Sequence, residues 1–283
     1  MFDFWELNIE TTNYCQAKCI ICPHKFMKRE KMFMKRSLWQ KILDGCKNRP
    51  KAIHYHLNGE PLLHPDLPEI IAYGKRKNPI SVHAFFTNGL LLGERAEEFL
   101  SDTNSLPDWI IVSFNGGTKP VYEEFMQLSF ERTIESVRKF IAQRNKRGLD
   151  KPKIELHMML TKETEPTIDE FNKLWEGWAD KLVLGSPMNW AGAISIEKHL
   201  PSRNIDLVKP CPYLFHFVTI LVDGRACLCC LDYEGKVIVG DAFNQTVLEI
   251  FNSDTLNIYR EFYLAGEYDK LPLCKNCSFR MNR

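Results

Sequence analysis

Cys15-Gln-Ala-Lys-Cys19-Ile-Ile-Cys22 places three thiols within eight residues, spaced C-x3-C-x2-C. Three thiolates on one short loop can cap three irons of a cubane iron–sulfur cluster and leave the fourth iron without a protein ligand. An open coordination position separates a catalytic metal centre from a closed structural one. Zinc is the alternative metal, with His24 as its fourth ligand. Seven more cysteines stand at 46, 211, 227, 229, 230, 274 and 277, six of them in the last 73 residues. A disulfide scaffold would be shorter and would need a secretory route, whereas a reduced protein that gathers thiols this tightly binds metal. Cys46 reads differently, as a small buried apolar residue on the core face of a helix.

The remaining composition narrows the function classes. The chain has 283 residues, 45% of them apolar, and a formal charge of +1 from 37 basic and 36 acidic side chains. That length suits one large domain or two small ones. The balanced charge argues against a nucleic-acid binder acting through a global basic field. No apolar run of about 18 residues predicts a membrane span. Met1-Phe-Asp-Phe-Trp-Glu6 has neither a basic n-region nor an apolar h-region, so a cytoplasmic location is expected.

Positioning the thiols falls to a series of alternating strands and helices. Strands are predicted at Phe4–Glu10, Ala52–Leu57, Ile80–Thr87, Trp109–Phe114, Lys153–Leu160 and Lys181–Leu184. Ser37 to Gln40 and Thr167 to Glu170 read as capping-box helix starts, and Asp66 with Glu69 opens another helix. Glu131–Lys146 is a long amphipathic helix stopped by Gly148. Six β-α steps predict a parallel sheet with helices outside, too short for an eight-fold barrel and therefore a (βα)6 partial barrel. The pattern changes at Pro210. Phe215–Val222 and Arg225–Cys230 form a hairpin around Asp223-Gly224, followed by a strand at Lys236–Val239 and helices at Thr246–Phe251 and Asp254–Ala265. The expected organisation is a core over 1–186, a linker over 187–210 and a small α+β iron–sulfur module over 211–283.

A C-x3-C-x2-C loop after the first strand of such a barrel resembles the radical S-adenosylmethionine superfamily. Asn58-Gly59-Glu60-Pro61 is similar to the family's GGEP motif, with Asn58 in place of the first glycine. Thr87-Asn88-Gly89 resembles the turn that ends the family's third strand, and Ser113 matches a serine that contacts the cofactor. Arg132 is the candidate partner of the cofactor carboxylate. Ile21 stands where the family often carries an aromatic residue near the adenine. The resemblance implies that Cys15, Cys19 and Cys22 hold a 4Fe–4S cluster and that Asn58, Gly59, Glu60, Asn88, Ser113 and Arg132 bind S-adenosylmethionine. One electron, from a flavodoxin or ferredoxin, would cleave the cofactor to a 5′-deoxyadenosyl radical.

Cys211, Gly224, Cys229 and Cys274-x2-Cys277 resemble the opening of the SPASM pattern in its shortened, twitch form. That likeness implies a second, auxiliary 4Fe–4S cluster on Cys211, Cys229, Cys274 and Cys277. Cys230 is the rival of Cys229, since adjacent strand residues face opposite ways, and Cys227 shares the face of Cys229. A four-cysteine zinc knuckle is the plain alternative. The implied enzyme is a radical oxidoreductase acting on a small molecule, such as a sugar or aminoglycoside-type alcohol. Epimerisation, with Cys227, Cys230 or Cys46 returning a hydrogen, is one alternative. Peptide or protein modification is another, and a zinc-binding interaction protein is the non-enzyme alternative. A short module and no N-terminal leader-recognition extension count against peptides.

Several side chains carry two readings. His56 is expected inward, as a satisfied interior histidine or as an acid/base. The basic stretch Lys25, Lys28, Arg29, Lys31, Lys35 and Arg36 is either a solvated loop or a lid for an anionic substrate. Trp190 lines a pocket or anchors a core. Glu155 and His157 give the fifth strand a polar face, and Asp232 and Glu234 are candidate cavity groups.

Overall fold

The computed structural model describes residues 4–201 and 211–278. Six parallel strands follow one another in space in chain order: β1 (Glu6–Ile9), β2 (Ala52–His54), β3 (Val82–Thr87), β4 (Trp109–Ser113), β5 (Lys153–Met159) and β6 (Lys181–Gly185). Leu7 lies opposite Ile53, Ile53 opposite His83, and Ile110 opposite Ile154. Side chains alternate between faces along a strand. On one face Leu7, Ile53, Phe85, Ile110, Val112, Ile154 and Leu156 are fully buried. They join Leu38, Trp39, Ile42 and Leu43 of α1 (Arg36–Cys46), Ile70 and Ile71 of α2 (Leu67–Lys77), and Ala96 and Phe99 of α3 (Ala96–Leu100). Tyr122 and Phe125 of α4 (Lys119–Met126), Val137, Phe140 and Ile141 of α5 (Phe130–Lys146), and Phe171 and Trp175 of α6 (Ile168–Trp175) complete this core. Each fully buried large apolar side chain contributes about 1.5–3 kcal/mol. The opposite face carries Glu6, Asn8, His54, Phe86, Ser113 and His157, which line a cavity. The architecture is the predicted α/β partial barrel.

Helix starts differ from the local sequence signals. α1 begins at Arg36 behind Lys35, so Ser37 lies inside the helix and caps nothing. Thr167 does stand at the N-cap of α6, but its hydroxyl donates to the Thr164 carbonyl at 2.9 Å and accepts from the Gly117 amide at 2.8 Å. Asp66 occupies the N-cap of α2 without a side-chain bond. Ser129 caps α5 instead. Tertiary partners competed for these hydroxyls, which no local pattern reveals.

The C-terminal segment continues the same sheet. After the short helix α7 (Tyr213–His216), β7 (Phe217–Ile220) runs parallel beside β1, pairing Glu6 with Phe217 and Ile9 with Ile220. β8 (Arg225–Cys227) turns back antiparallel, and β9 (Ile238–Asp241) follows, giving the strand order 6-5-4-3-2-1-7-8-9. Helices α8 (Val247–Phe251), with a complete Thr246–Glu249 capping box, and α9 (Asp254–Leu264), capped by Ser253, close this part. β8 ends at Cys227, three residues short of the expected Cys230, so Cys229 and Cys230 lie in a turn and the strand-face argument does not apply to them. Of the expected linker, 202–210 lies outside the described residues. Among the described residues no helix is long and apolar enough to cross a membrane.

Candidate active site

The loop after β1 is held by buried polar side chains. Asn13 donates to the Glu30 carbonyl at 2.8 Å and accepts from the Met32 amide at 2.8 Å, while the Thr12 hydroxyl donates to the Met32 carbonyl at 2.9 Å. These bonds pin the returning chain and leave residues 15–22 as a loop over the barrel rim. Cys15, Cys19 and Cys22 all line one cavity of about 200 Å³ there. Burial, the largest influence on each, raises all three thiols, Cys15 to about 12. They are therefore protonated at neutral pH until a metal displaces the protons.

The same cavity is lined by Asn58, Gly59, Glu60, Asn88 and Ser113. Gly59 passes against the first loop so closely that a Cβ there would lie 2.1 Å from the Thr12 carbonyl oxygen. Glu60 is almost fully buried and clamps the next turn. Its carboxylate accepts from the Leu62 amide at 3.0 Å, the Thr87 hydroxyl at 2.7 Å and the Asn88 amide at 2.7 Å. Burial pushes its carboxyl up to about 7 against these donors. Four buried polar atoms of this region have no partner: Asn58 Oδ1, Asn88 Nδ2, Gln16 Oε1 and His56 Nδ1. Unpaired buried acceptors and donors beside three thiols match a ligand with amino-acid polarity bound next to a metal cluster.

Arg132 is not part of this assembly. It sits on the first turn of α5 with its side chain 67% exposed, 3.9 Å from Glu94. His24 does not complete a zinc site. Its Nε2 contacts the Asn13 carbonyl at 2.9 Å and the Lys31 ammonium at 2.8 Å. Among the described residues no three histidine, cysteine or acidic side chains converge on one metal-ion position. A cubane needs no such convergence, because each thiolate sits on a different iron. Asn115 went unnoticed in the sequence. It is buried in the cavity wall and accepts from the Met159 amide at 2.6 Å. Its only sequence signal is a polar residue just past a strand end.

A second cavity, of about 480 Å³, shares His56, Leu57, Phe86, Ser113, Met159, Met188 and Trp190 with the first and extends down the barrel interior. Glu6 and His54 meet there at 2.8 Å, and Asn8, His157, Tyr213 and Cys230 complete the walls. His56 is not satisfied as expected. Its Nδ1 is buried without a partner, and burial holds the ring well below the usual histidine range. Of its two anticipated roles Trp190 takes the pocket-lining one: it lines both cavities, and its partly buried indole donates to the Ile21 carbonyl at 2.9 Å rather than anchoring the core. Next to it, Asn189 bonds Ser278 and the Asn276 carbonyl, which ties the rim to the C-terminal cysteine turn.

The C-terminal thiols gather at the far side of this second cavity. Cys229 lies close enough to Cys230, Cys227 and Cys274, and Cys230 to Cys211 and Cys277, for each thiol to oppose ionisation of the other. The Cys277 amide donates to the Cys274 carbonyl at 3.2 Å, closing the C-x2-C turn. Of the spare thiols, Cys230 lines the second cavity. Cys46 is fully buried with its thiol on the Ile42 carbonyl, and Cys227 is 2% exposed with its thiol on the Cys229 carbonyl. Asp232 is consumed by the Lys236 and Val237 amides, and Glu234 accepts from the Lys28 amide. One buried ion pair joins the two thiol regions. Arg29 meets Glu10 in a bidentate pair, 2.7 Å for each bond, with the side chains 5% and 0% exposed. Glu10 also accepts from the Val222 amide and the Asn58 side chain, and Arg29 donates to the Tyr233 carbonyl.

Residues 9–174 match the family described as the radical SAM superfamily. The chain belongs to the radical SAM superfamily. Residues 211–278 match a second family, SPASM, described as an iron–sulfur cluster-binding domain. A curated relative, the S-adenosyl-L-methionine-dependent 2-deoxy-scyllo-inosamine dehydrogenase of Niallia circulans, is 21% identical over 278 residues, covering 97% of this radical SAM chain and 93% of the relative. Among solved structures, BtrN in complex with AdoMet and 2-DOIA superposes with a TM-score of 0.66 at 20% identity, over 98% of this chain and 94% of that one. SuiB of Streptococcus suis, bound to the precursor peptide SuiA, superposes with a TM-score of 0.72 at 17% identity, over 90% of this chain and 66% of that one. The fold of this radical SAM protein is thus shared with a structure bound to AdoMet and 2-DOIA and with one bound to a precursor peptide.

Proposed function

We propose that the protein is a radical SAM dehydrogenase of a small-molecule alcohol of the sugar or aminoglycoside type. The observation that carries this reading is the shared cavity wall. The rim pocket that holds Cys15, Cys19 and Cys22 opens into a larger chamber whose far wall is Cys230, next to the second thiol group. S-adenosylmethionine on a 4Fe–4S cluster supplies a carbon-centred radical that removes one hydrogen atom from a substrate. Cys15, Cys19 and Cys22 would hold that cluster. Asn58, Asn88 and Glu60 would meet the polar end of the cofactor, with Gly59 giving close backbone approach and Ser113 forming the wall beneath. Oxidation needs a sink for a second electron, and Cys211, Cys229, Cys274 and Cys277 are the thiols proposed to hold it as a second 4Fe–4S cluster. Phe86, Met159, Met188 and Trp190 exclude water between the two. A flavodoxin- or ferredoxin-type protein in the cytoplasm would deliver the first electron.

One observation favours a second reading. Cys230 faces the chamber with its thiol bonded to the Tyr213 side chain, so hydrogen return from Cys230, and hence epimerisation, is the competing outcome. Anaerobic reconstitution with S-adenosylmethionine, reductant and candidate alcohols in heavy water separates the two. Dehydrogenation releases 5′-deoxyadenosine with a carbonyl product. Epimerisation gives product of unchanged oxidation level carrying deuterium. Zinc loading with no 5′-deoxyadenosine refutes both.

A further inference from the structure

The turn that follows β6 is built against its own local preference. Trp190 and Ala191 stand at φ 50° and 54°, in the left-handed region that side-chain-bearing residues seldom adopt, and Gly192 follows at 84°. Such a backbone persists only where the surrounding structure over-determines it. Here the support comes from the C-terminal cysteine turn. Asn189 is buried and donates its backbone amide to the Ser278 hydroxyl at 3.2 Å. Its side-chain amide donates to the Asn276 carbonyl at 2.6 Å, and its Oδ1 accepts from the Ser278 amide at 2.9 Å. Gly192 lies so near the same segment that a Cβ there would fall 2.9 Å from the Asn276 Cβ.

The same turn forms part of the rim pocket. Trp190 lines that pocket, and its indole donates to the carbonyl of Ile21, which stands between Cys19 and Cys22. On the other side, Asn276 stands between Cys274 and Cys277. Covalent and hydrogen-bonded steps therefore run unbroken from Cys277 through Asn276, Asn189, Trp190 and Ile21 to Cys22. Lying between two sites transmits nothing by itself; coupling needs an element with two arrangements that both sites bias. Residues 189–192 are such an element. Held on the 276–278 segment, they keep the indole in the pocket wall. Released from it, Trp190 and Ala191 would relax to the right-handed or extended backbone that their side chains favour, and the indole would leave the wall.

We propose that residues 189–192 are a strap through which filling of the C-terminal thiol site and binding of S-adenosylmethionine at the rim favour one another, with Asn189 as the positioning residue. This rests on the reading that Cys15, Cys19 and Cys22 hold one cluster and the C-terminal thiols a second. A cluster on Cys274 and Cys277 restrains the turn that Asn189 grips, so less free energy is needed to keep Trp190 against the pocket. With the C-terminal site unfilled, that free energy is drawn from cofactor binding, and the apparent affinity falls. By reciprocity, bound cofactor steadies the strap and, through it, residues 274–278. The protein would then hold its cofactor firmly only when the sink for the second electron is in place.

The test is a binding measurement and does not depend on turnover. S-adenosylmethionine is titrated calorimetrically into anaerobically reconstituted protein whose iron has been counted. Asn189→Ala with its full iron is expected to bind about tenfold more weakly than the natural protein. Cys274→Ala, having lost the iron of the second site, should show a like loss, and the double variant no more than either alone. Hydrogen exchange supplies a readout that simple destabilisation would not move. Saturating S-adenosylmethionine should slow exchange across residues 274–278 in the natural protein and not in Asn189→Ala. Natural affinity in iron-replete Asn189→Ala overturns the strap, as do losses that multiply in the double variant. Unchanged affinity in a Cys274→Ala protein that has lost its second-site iron overturns it too. If Asn189→Ala fails to fold, Gly192→Ala, whose added methyl meets Asn276, takes its place with the same expectation. These failures leave the two-cluster reading standing, because that reading is judged by the iron count and 5′-deoxyadenosine release of the natural protein. Iron kept in full by Cys274→Ala, by contrast, refutes the ligand reading and the strap with it.

Discussion

Replacing Glu10 by glutamine keeps the shape of the side chain and removes its charge. Arg29 is then left as a guanidinium with 5% of its side chain exposed and no counter-ion. Breaking a buried pair from one side costs about 3–5 kcal/mol, because the remaining charge is stranded. At about 2 °C per kcal/mol for a chain of this size, the melting midpoint should fall by about 6–10 °C. The loss should not be uniform. Val222, at the start of the C-terminal hairpin turn, donates its amide to Glu10 at 2.9 Å, and Asn58 donates to the same carboxylate at 3.2 Å. Hydrogen exchange should therefore accelerate at Val222 and in the residues around Asn58 before it does in β4 or β5. Calorimetry on metal-free protein and exchange by mass spectrometry read the two effects. The double variant Glu10→Met with Arg29→Met should recover much of the melting temperature, since an apolar pair of similar volume is often no worse than a buried ion pair. A fall of less than about 2 °C, the size expected for a solvated pair, would refute the view that this pair fastens the cluster loop to the C-terminal hairpin.

Three further outcomes follow from the site. Gly59→Ala puts a methyl 2.1 Å from the Thr12 carbonyl oxygen, an overpacking cost of at least about 1–3 kcal/mol, and should lower the melting temperature and abolish S-adenosylmethionine binding; binding at natural affinity would contradict the geometry. Cys229→Ala should lose about half the reconstituted iron, whereas Cys230→Ala should keep it and change only product distribution; iron lost only from Cys230→Ala would reverse the assignment. Burial raises Glu60 to about 7 from an ordinary 4.5, so its contribution to stability is complete below pH 4.5 and is lost as pH rises through 7. That loss is about 3 kcal/mol in metal-free protein, and Glu60→Gln should flatten the slope, as urea titrations between these pH values would show.

The alternation of apolar and polar residues was enough to predict six parallel strands within a few residues of their ends. The reason is that one face of each strand must pack on helices, and that requirement is written locally. Motifs at strand ends were legible for the same reason. Asn58 to Glu60 and Asn88 follow strands in sequence, Ser113 ends one, and all share one rim in space. Helix caps were less legible, because the Thr167 hydroxyl is claimed by Thr164 and Gly117 rather than by its own helix. Arg132 shows the limit of spacing alone, since a helix residue with no strand to orient it turned to solvent.

By itself, then, the sequence determined the partial barrel and the three-thiol loop, both of which depend on short-range periodicity and spacing, and its motifs carried the resemblance to the superfamily. Tertiary structure decided the rest. It laid β7 against β1, so the thiol-rich segment became part of the barrel sheet, through backbone pairing between residues about 210 apart. It turned Arg29 from a member of a basic run into the buried partner of Glu10. It sorted the spare cysteines, leaving Cys46 and Cys227 in the core and Cys230 at the chamber. It also brought Glu6, Asn8 and His54 from neighbouring strands to one floor. Each of these depends on which distant residue comes to lie opposite, a choice made by the packing of the whole chain and not by any window of it.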